Sequence, residues 1–358
     1  MKKLLLGLLA ATMLISAPQQ PANAAVEYEL HLNMPLPPTN TRWKLFLEGV
    51  MSDLEKRSGG RIKVIPYFAE SMSKISECFE TVKTGLADLT EVALLNAPGQ
   101  FPFHERAWDA LDPARASEHP TTIMHEIQKE FPEVMKEFKG AKFLNSYDGM
   151  IGQFIVMNKP VKTLADLKGK KIVAFGGPTV AAKIEALGAV PVSMSPGDAY
   201  MALQQGIAEG AMTGFGMLVN RRFGDMLKYM VPVNITGIIL GVAMNQDTYD
   251  SMPDDLKKVV DDTFGDEFTQ RSTKYMSDIE YELAKQWKNE MGGVICPLTD
   301  AEYDEIHTLF APLDKAWADK LTASGLPGDK ILARLKELET QYSPLWKDSK
   351  LFQEFGIK

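Results

Sequence analysis

The stretch LKGKKIVAFGGPTVAAKIEALG, residues 167–188, sets a glycine pair between a short apolar run and a helix-like run. Strand, glycine turn and helix is the arrangement in which backbone amides at a helix N-terminus cradle a phosphate. This stretch lacks the rest of such a site. No Gly-Lys-Ser/Thr follows Gly176-Gly177-Pro178, and the third glycine of a dinucleotide fingerprint is missing. The other chemically able residues are equally unconvincing. His31, His104, His119, His125 and His307 include no pair four apart around a glutamate, and no Cys-x-x-Cys occurs. A zinc site therefore has no signature, and the sequence calls for no cofactor or metal. Ser58-Gly59-Gly60 and Gly214-Phe215-Gly216 lack the flanks of a nucleophile elbow. The carboxylates of DDLKKVVDD (254–262) fit a solvated helix face better than acid–base catalysis. An exported hydrolase or transferase would need a convergent nucleophile and base, and none is found.

The N-terminus supplies the context. Lys2 and Lys3, the apolar LLLGLLAATMLIS, and Ala22-Asn23-Ala24 read as a secretory signal peptide over residues 1–24, cut between Ala24 and Ala25. The apolar run is too short for a membrane span, and no cysteine near the cut offers a lipid attachment. The expected mature chain is exported, not membrane-embedded, and suits a Gram-negative periplasm. Removing 24 of 358 residues leaves 334, enough for two domains. Dropping two lysines from 39 basic residues leaves 37 against 47 acidic, a net charge of −10 that disfavours nucleic acid as a partner. Export permits a disulfide between Cys78 and Cys296, but spacing does not show that they meet, and two buried free thiols is the plainer reading.

Periodicity places these residues on elements. EYELHLNMP (27–35) alternates as a strand, and 41–57 has helical spacing stopped by Gly59-Gly60. RIKVIPYF (61–68) reads as a strand, 75–85 as a helix, and LADLTEVAL (86–94) as a strand. A second unit begins near AKFLNSYDG (141–149), followed by strands GQFIVMNKP (152–160) and KKIVAF (170–175). Next come a helix over 178–188, strand AVPVSM (189–194), and a helix over 195–206 with Ser195 as N-cap. EGAMTGFG (209–216) reads as strand and turn, and NITGIILGVAMN (234–245) as a strand returning to the first unit. Residues 252–293 form one long helix or two in series, and the tail is helical. Alternation of strand and helix predicts an α/β protein with a parallel sheet.

The run VKTLADLKGKKIVAFGGPTVAAKIEALGAVPVSMSPGDAYMALQQGIAEG resembles the extracytoplasmic solute-binding proteins of TRAP transporters, the DctP family. L-x-D-L-K-G-x-K-I, ALGA-x-P-V-x-M and Y-x-ALQ-x-G-x-x-x-G carry the resemblance, with SGGRIKV (58–64), VKTGLADLTEVAL (82–94) and NQDTYDSMPDDLKKVV (245–260) in the expected places. It covers essentially the whole mature chain. The resemblance implies a two-lobe α/β solute-binding fold, with the ligand cleft between the lobes and a long helix, 252–293, spanning both. Lobe one would take 25–146 and 247–300, lobe two 147–246, and helices of 301–358 would brace them. The solute would pass to a small and a large membrane subunit, with uptake driven by an ion gradient.

The same resemblance turns the glycine pair into a wall of the cleft. The family typically places an arginine after L-K-G-x-K-I to pair with the ligand's carboxylate, a bidentate geometry that fixes charge and orientation. Here Val173 stands there. A second family arginine aligns with Gln153, and the asparagine of the family's E-N-P turn corresponds to Thr213. Phe175 and the amides of Gly176 and Gly177 would face the ligand, unless the turn only starts a helix with Pro178 at its first position. Trp43, Glu91, Asn96, Tyr147, Asp148, Phe215, Thr236 and Ile238 complete the candidates. Trp43 reads equally as core, and Glu91 as an edge-strand charge. Arg221 and Arg222 fit a solvated helix better than a carboxylate site. With Val173 in place of arginine, an unpaired dicarboxylate would cost several kcal/mol to bury. A small organic solute with an apolar or aromatic body is favoured, such as an aromatic acid met by amides, Gln153 or Thr213. An amine or quaternary ammonium solute facing Glu91 or Asp148 is the alternative, and a sensor's ligand-binding subunit is an alternative role.

Overall fold

The structure, a computed structural model, describes residues 25–94, 99–111, 120–175, 177–342 and 349–355. The expected signal peptide, Asn96 and Gly176 lie outside the described residues.

The chain runs β1 (Tyr28–Met34), α1 (Glu48–Arg57), β2 (Ile62–Phe68), α2 (Cys78–Lys83), β3 (Leu89–Ala93), α3 (Pro120–Glu130) and β4 (Ala141–Met157). It continues through β5 (Lys171–Ala174), α4 (Pro178–Ala186), β6 (Val190–Ser193), α5 (Pro196–Gln204), β7 (Gly210–Thr213) and α6 (Phe215–Asn220). Then come β8 (Tyr229–Asn245), α7 (Gln246–Ser251), α8 (Asp254–Thr263), α9 (Asp266–Met291), β9 (Val294–Ile295), α10 (Asp300–Ala323), α11 (Gly328–Tyr342) and α12 (Lys350–Phe355).

Local chemistry sets many of these boundaries. α1 stops where Gly59 and Gly60 take positive φ, a conformation that suits glycine. Ser195 caps α5 by accepting from the Asp198 amide at 3.2 Å, and Pro178 opens α4. The 252–293 region resolves into α8 and α9 in series, broken at Phe264-Gly265.

The nine strands among the described residues form one sheet in the order β2-β1-β3-β8-β4-β7-β5-β6, with β9 beside β8. β1, β2 and β3 are mutually parallel, as are β5, β6 and β7. The two triplets are joined by β8 and β4, 17 residues each, paired antiparallel. Here the sequence reading needs correction. The segments read as a unit start at 141–149 and a separate strand at 152–160 are one continuous strand. Gly149 and Gly152 sit where the β4–β8 register shifts, at bulges rather than turns. The returning strand also begins earlier than expected, at Tyr229. The expected turn at 214–216 is a helix start, since Phe215 is the first residue of α6.

Side chains alternate across the sheet. On β8, Leu240, Val242 and Met244 enter one core cluster, while Ile239 and Ala243 enter another. On β5, Ile172 and Ala174 face one cluster and Val173 the other. Two long helices bridge the halves on opposite faces. Phe268 of α9 packs in the cluster of β1 and β3, and its Ala284 and Trp287 in a cluster of β5 and β7. Ile306 and Phe310 of α10 pack against β5, and Leu321 packs beside Trp108. Both cysteines are buried and free.

Gly237 shows how tightly the middle of the sheet is built, because a Cβ there would meet Trp108 Cε2 at 1.9 Å. Gly237→Ala is expected to cost about 1–3 kcal/mol through overpacking. Gly216→Ala, on a helix with open space at the Cβ position, should be neutral or slightly stabilising. Urea unfolding of the two variants checks this.

Candidate functional site

β3 ends at Ala93 opposite Leu240, and β7 ends at Thr213 opposite Phe154. Between those points, among the described residues, no strand pairs with the outer edge of β8 from 231 to 239 or of β4 from 141 to 153. The carboxyl ends of both parallel triplets point at this waist. In α/β sheets, crevices outside strand carboxyl ends are where ligands bind. The bulges of β4 fall here, between Asp148, Met150, Gln153 and Ile155.

Polar groups concentrate at the waist, and most are engaged. Glu91, buried on β3, takes a hydrogen bond from Arg42 Nη2 at 2.9 Å and one from the Tyr147 hydroxyl. Arg42 Nε lies 2.9 Å from the other carboxylate oxygen, in a geometry that makes no second hydrogen bond. Burial works against the Arg42 charge, but Glu91 holds its pKa above the ordinary value. Burial and the Glu91 charge push the Tyr147 phenol well up. Asp148 accepts from Thr121 Oγ1 at 2.5 Å, and burial lifts its pKa to about 7. On the other face, the Thr236 hydroxyl donates to Asp109. Lys183 of α4 reaches across to donate to the carbonyls of Asp109 (2.5 Å) and Ile235 (2.8 Å), and its burial lowers its pKa. A cleft of about 540 Å³ opens beside this contact, between Arg106 and Asp109, α4, and Asp314 and Trp317 of α10.

The structure sorts the expected site residues. Gln153 and Thr236 face each other in register on β4 and β8, and Thr213 ends β7 fully buried. Ile238 is half-buried against the β1–β3 cluster. Trp43 is core, buried edge-on against Phe68 at 5.0 Å. Glu91 is no edge charge but lies on an inner strand with a basic partner. Val173 is fully buried in the cluster with Phe154, Leu203 and Phe215. Phe215 turns toward Trp287, ring centres 5.9 Å apart. Phe175 touches both clusters of its lobe. Gly177 has φ +86 and precedes α4, with Arg106 Nη2 3.5 Å from where a Cβ would be. Arg222 is exposed and paired with Asp225.

Three residues at the waist escaped the sequence reading: Arg42, Tyr275 and Glu280. The Tyr275 phenol is pushed up by burial and feels the charges of Arg42, Glu280 and Glu91. Glu280 is 4% exposed, and burial alone lifts its pKa to about 8. Among the described residues it has no hydrogen bond or ion pair. Its signal was available: it occupies the buried stripe Phe268, Ser272, Met276, Glu280, Ala284, whose four-residue step marks a helix face. No group of acidic, histidine or cysteine side chains among the described residues could hold a metal ion, and no described helix is long and apolar enough to cross a membrane.

Residues 35–320 match the DctP family, described as bacterial extracellular solute-binding protein, family 7. The YiiZ protein of Salmonella typhimurium is 27% identical over 189 residues, 49% of this chain and 54% of that protein. The match thus spans about half of that relative's length. A TRAP periplasmic solute-binding protein of Desulfovibrio salexigens superposes with a TM-score of 0.81 at 25% identity, covering 92% of this chain and 100% of that one. A marine-metagenome TRAP solute-binding protein specific for aromatic acid ligands, in complex with metahydroxyphenylacetate, gives 0.75 at 22% identity, covering 88% and 99%.

The raised carboxyls make stability depend on pH with a definite sign. Asp148 and Glu280 titrate near the ordinary carboxyl values of 3.8 and 4.5 when unfolded and at about 7 and 8 when folded. Below both values neither state is charged; as pH rises, the unfolded chain ionises first, so native stability falls until the folded values are passed. Each group contributes a loss of about 1.4 kcal/mol per pH unit in that window. Chemical denaturation between pH 5 and 8.5 should show stability falling. Asp148→Asn should flatten the slope between pH 5 and 7.

Proposed function

The chain belongs to the bacterial extracellular solute-binding proteins, family 7, and from that premise we propose that it captures a small organic acid with an aromatic or largely apolar body. It is a TRAP-type solute-binding protein. We assign it to the periplasm, reached through a signal peptide cut between Ala24 and Ala25, with no chemistry performed on the solute. The solute is delivered to the small and large TRAP membrane subunits. Residues 25–146 with 247–300 form one lobe, 147–246 the other, and 301–358 the brace.

One observation carries the ligand class: Val173, where the resemblance expects an arginine, is sealed in an apolar cluster with Phe154 and Phe215. No fixed cation is offered there. Among the described residues, two of the three cations lining the cleft are engaged, Lys183 with the carbonyls of Asp109 and Ile235 and Arg106 with Glu105 and Asp109. A second carboxylate would therefore stay unpaired at a cost of several kcal/mol. The Gln153 amide suits one carboxylate, while the Thr213 and Thr236 hydroxyls, whose protons go to the Gly214 carbonyl and to Asp109, are left to accept from a solute hydroxyl. A TRAP protein of the same fold is specific for aromatic acids, which agrees with this class. The counter-charges the sequence offered to an amine are committed, Glu91 to Arg42 and Asp148 to Thr121.

Thermal-shift screening tests the proposal. Benzoate, phenylacetate or 3-hydroxybenzoate should raise the melting temperature, with about 2.7 kcal/mol of stabilisation at a hundred times the dissociation constant. Stabilisation by succinate or malate but by no aromatic acid would sink the ligand class.

A further inference from the structure

The cleft of about 540 Å³ lies between the segments that leave the two parallel triplets at their carboxyl ends. One wall belongs to the 99–110 stretch that follows β3, and the facing wall to the start of α4, which follows β5. The walls approach where Arg106 Nη2 comes within 3.5 Å of the place of a Gly177 Cβ. Lys183 ties them by donating to the Asp109 carbonyl. The third wall is α10. Its Leu313, Ala316, Trp317 and Lys320 line the cleft, and steps of three and four put them on one helix face. Trp317 is half-buried and its ring is fixed. Nε1–H donates to the Pro102 carbonyl at 3.1 Å, and the ring lies 30° from the plane of Phe103 with centres 6.2 Å apart. The charges of the lining are nearly all committed. Arg106 pairs with Glu105 and Asp109, and Lys336 answers Asp314 from outside the cleft at 2.9 Å. Lys320 is exposed and has no hydrogen bond or ion pair among the described residues.

We propose that α10 is a wall of the solute site and not only a brace: the solute's apolar or aromatic body lies against Trp317 in this cleft, and its single carboxylate turns to the mouth, where Lys320 stands. The inference rests on the organic-acid reading and adds the place and the specificity-determining residues. The volume suits a small organic ligand. A tryptophan whose polar atom is already bonded offers its ring as an apolar platform, and a flat solute gains from stacking on it beyond the area it buries. Three acids and three bases line the cleft among the described residues. With Asp314 answered from outside by Lys336, the lining has room for one negative charge and no more. Gln153 does not line the cleft, so this placement gives the carboxylate to Lys320 in its stead.

Isothermal titration of the full mature chain with benzoate and cyclohexanecarboxylate, at low and high ionic strength, tests this. Trp317→Leu, which keeps an apolar wall, should weaken benzoate about tenfold and cyclohexanecarboxylate by less, because only the aromatic ring loses a stacking partner. Benzoate should quench tryptophan fluorescence in the wild type, and the quench should be lost in Trp317→Leu. Lys320→Ala, a surface change that leaves the fold intact, carries the test independently. It should weaken both acids about two- to fivefold at low ionic strength, the size of an exposed ion pair, and leave them unchanged at high. Lys315→Ala, outside the cleft and paired with Asp319, should bind as the wild type does. Equal affinities in wild type, Trp317→Leu and Lys320→Ala would overturn the α10 wall and leave the organic-acid reading standing. So would loss of affinity in Gln153→Ala but in neither α10 variant. Binding of benzylamine or succinate in place of both acids would overturn the two together, as would failure of the wild type to bind either acid.

Discussion

The pairing of β4 with β8 is the constraint from which the rest of the molecule follows. Two 17-residue strands run side by side through both lobes, and each parallel triplet attaches to only one end of the pair. The triplets cannot meet, because their carboxyl ends point at one another across the uncovered middle. Among the described residues, that middle is where backbone edges, loop ends and glycines come together without a covering strand. Glycine is required there: Gly237 lets Trp108 lie against β8, and a Cβ at Gly149 would meet Leu240 Cδ1 at 2.8 Å.

The electrostatics of the waist follow from this burial. Charges brought to a strand end in a low-dielectric setting must be paired or neutralised. Glu91 is paired, by Arg42 and Tyr147. Asp148 and Glu280 take the other route and hold their protons to higher pH. Lys183 is served by two main-chain carbonyls and is thereby tied to both Asp109 and β8. The charged groups of the waist are therefore mostly satisfied by the protein.

Much of this was legible in the sequence. Caps and stops read correctly wherever one residue type decides the backbone, as at Ser195, Pro178 and Gly59-Gly60. The α/β alternation and the return of 234–245 followed from apolar pattern alone. The errors have a common cause. Residues 141–160 divide into two segments in the sequence because glycine suits both turns and bulges, and only the partner strand shows that Gly149 and Gly152 lie at bulges. Trp43 was legible as core or as cleft with nothing local to choose between them, and Phe215 as aromatic but not as core, since the faces they present depend on β2 and α9, distant in sequence. Glu91 could be seen as conspicuous on its strand, yet its partner Arg42 lies 49 residues away and leaves no local trace. Glu280 stands on the four-residue step of buried residues on its own helix, among so many acids in 252–293 that its residue type does not single it out.

The placement of α9 and α10 on opposite faces has a mechanical consequence. A sheet folding toward either face about the waist would have to compress one of these helices lengthwise while pulling on the other. Rods resist that far more than sideways sliding. The compliant direction left to the lobes is splaying within the plane of the sheet, with the bulged stretch of β4 as the pliant segment.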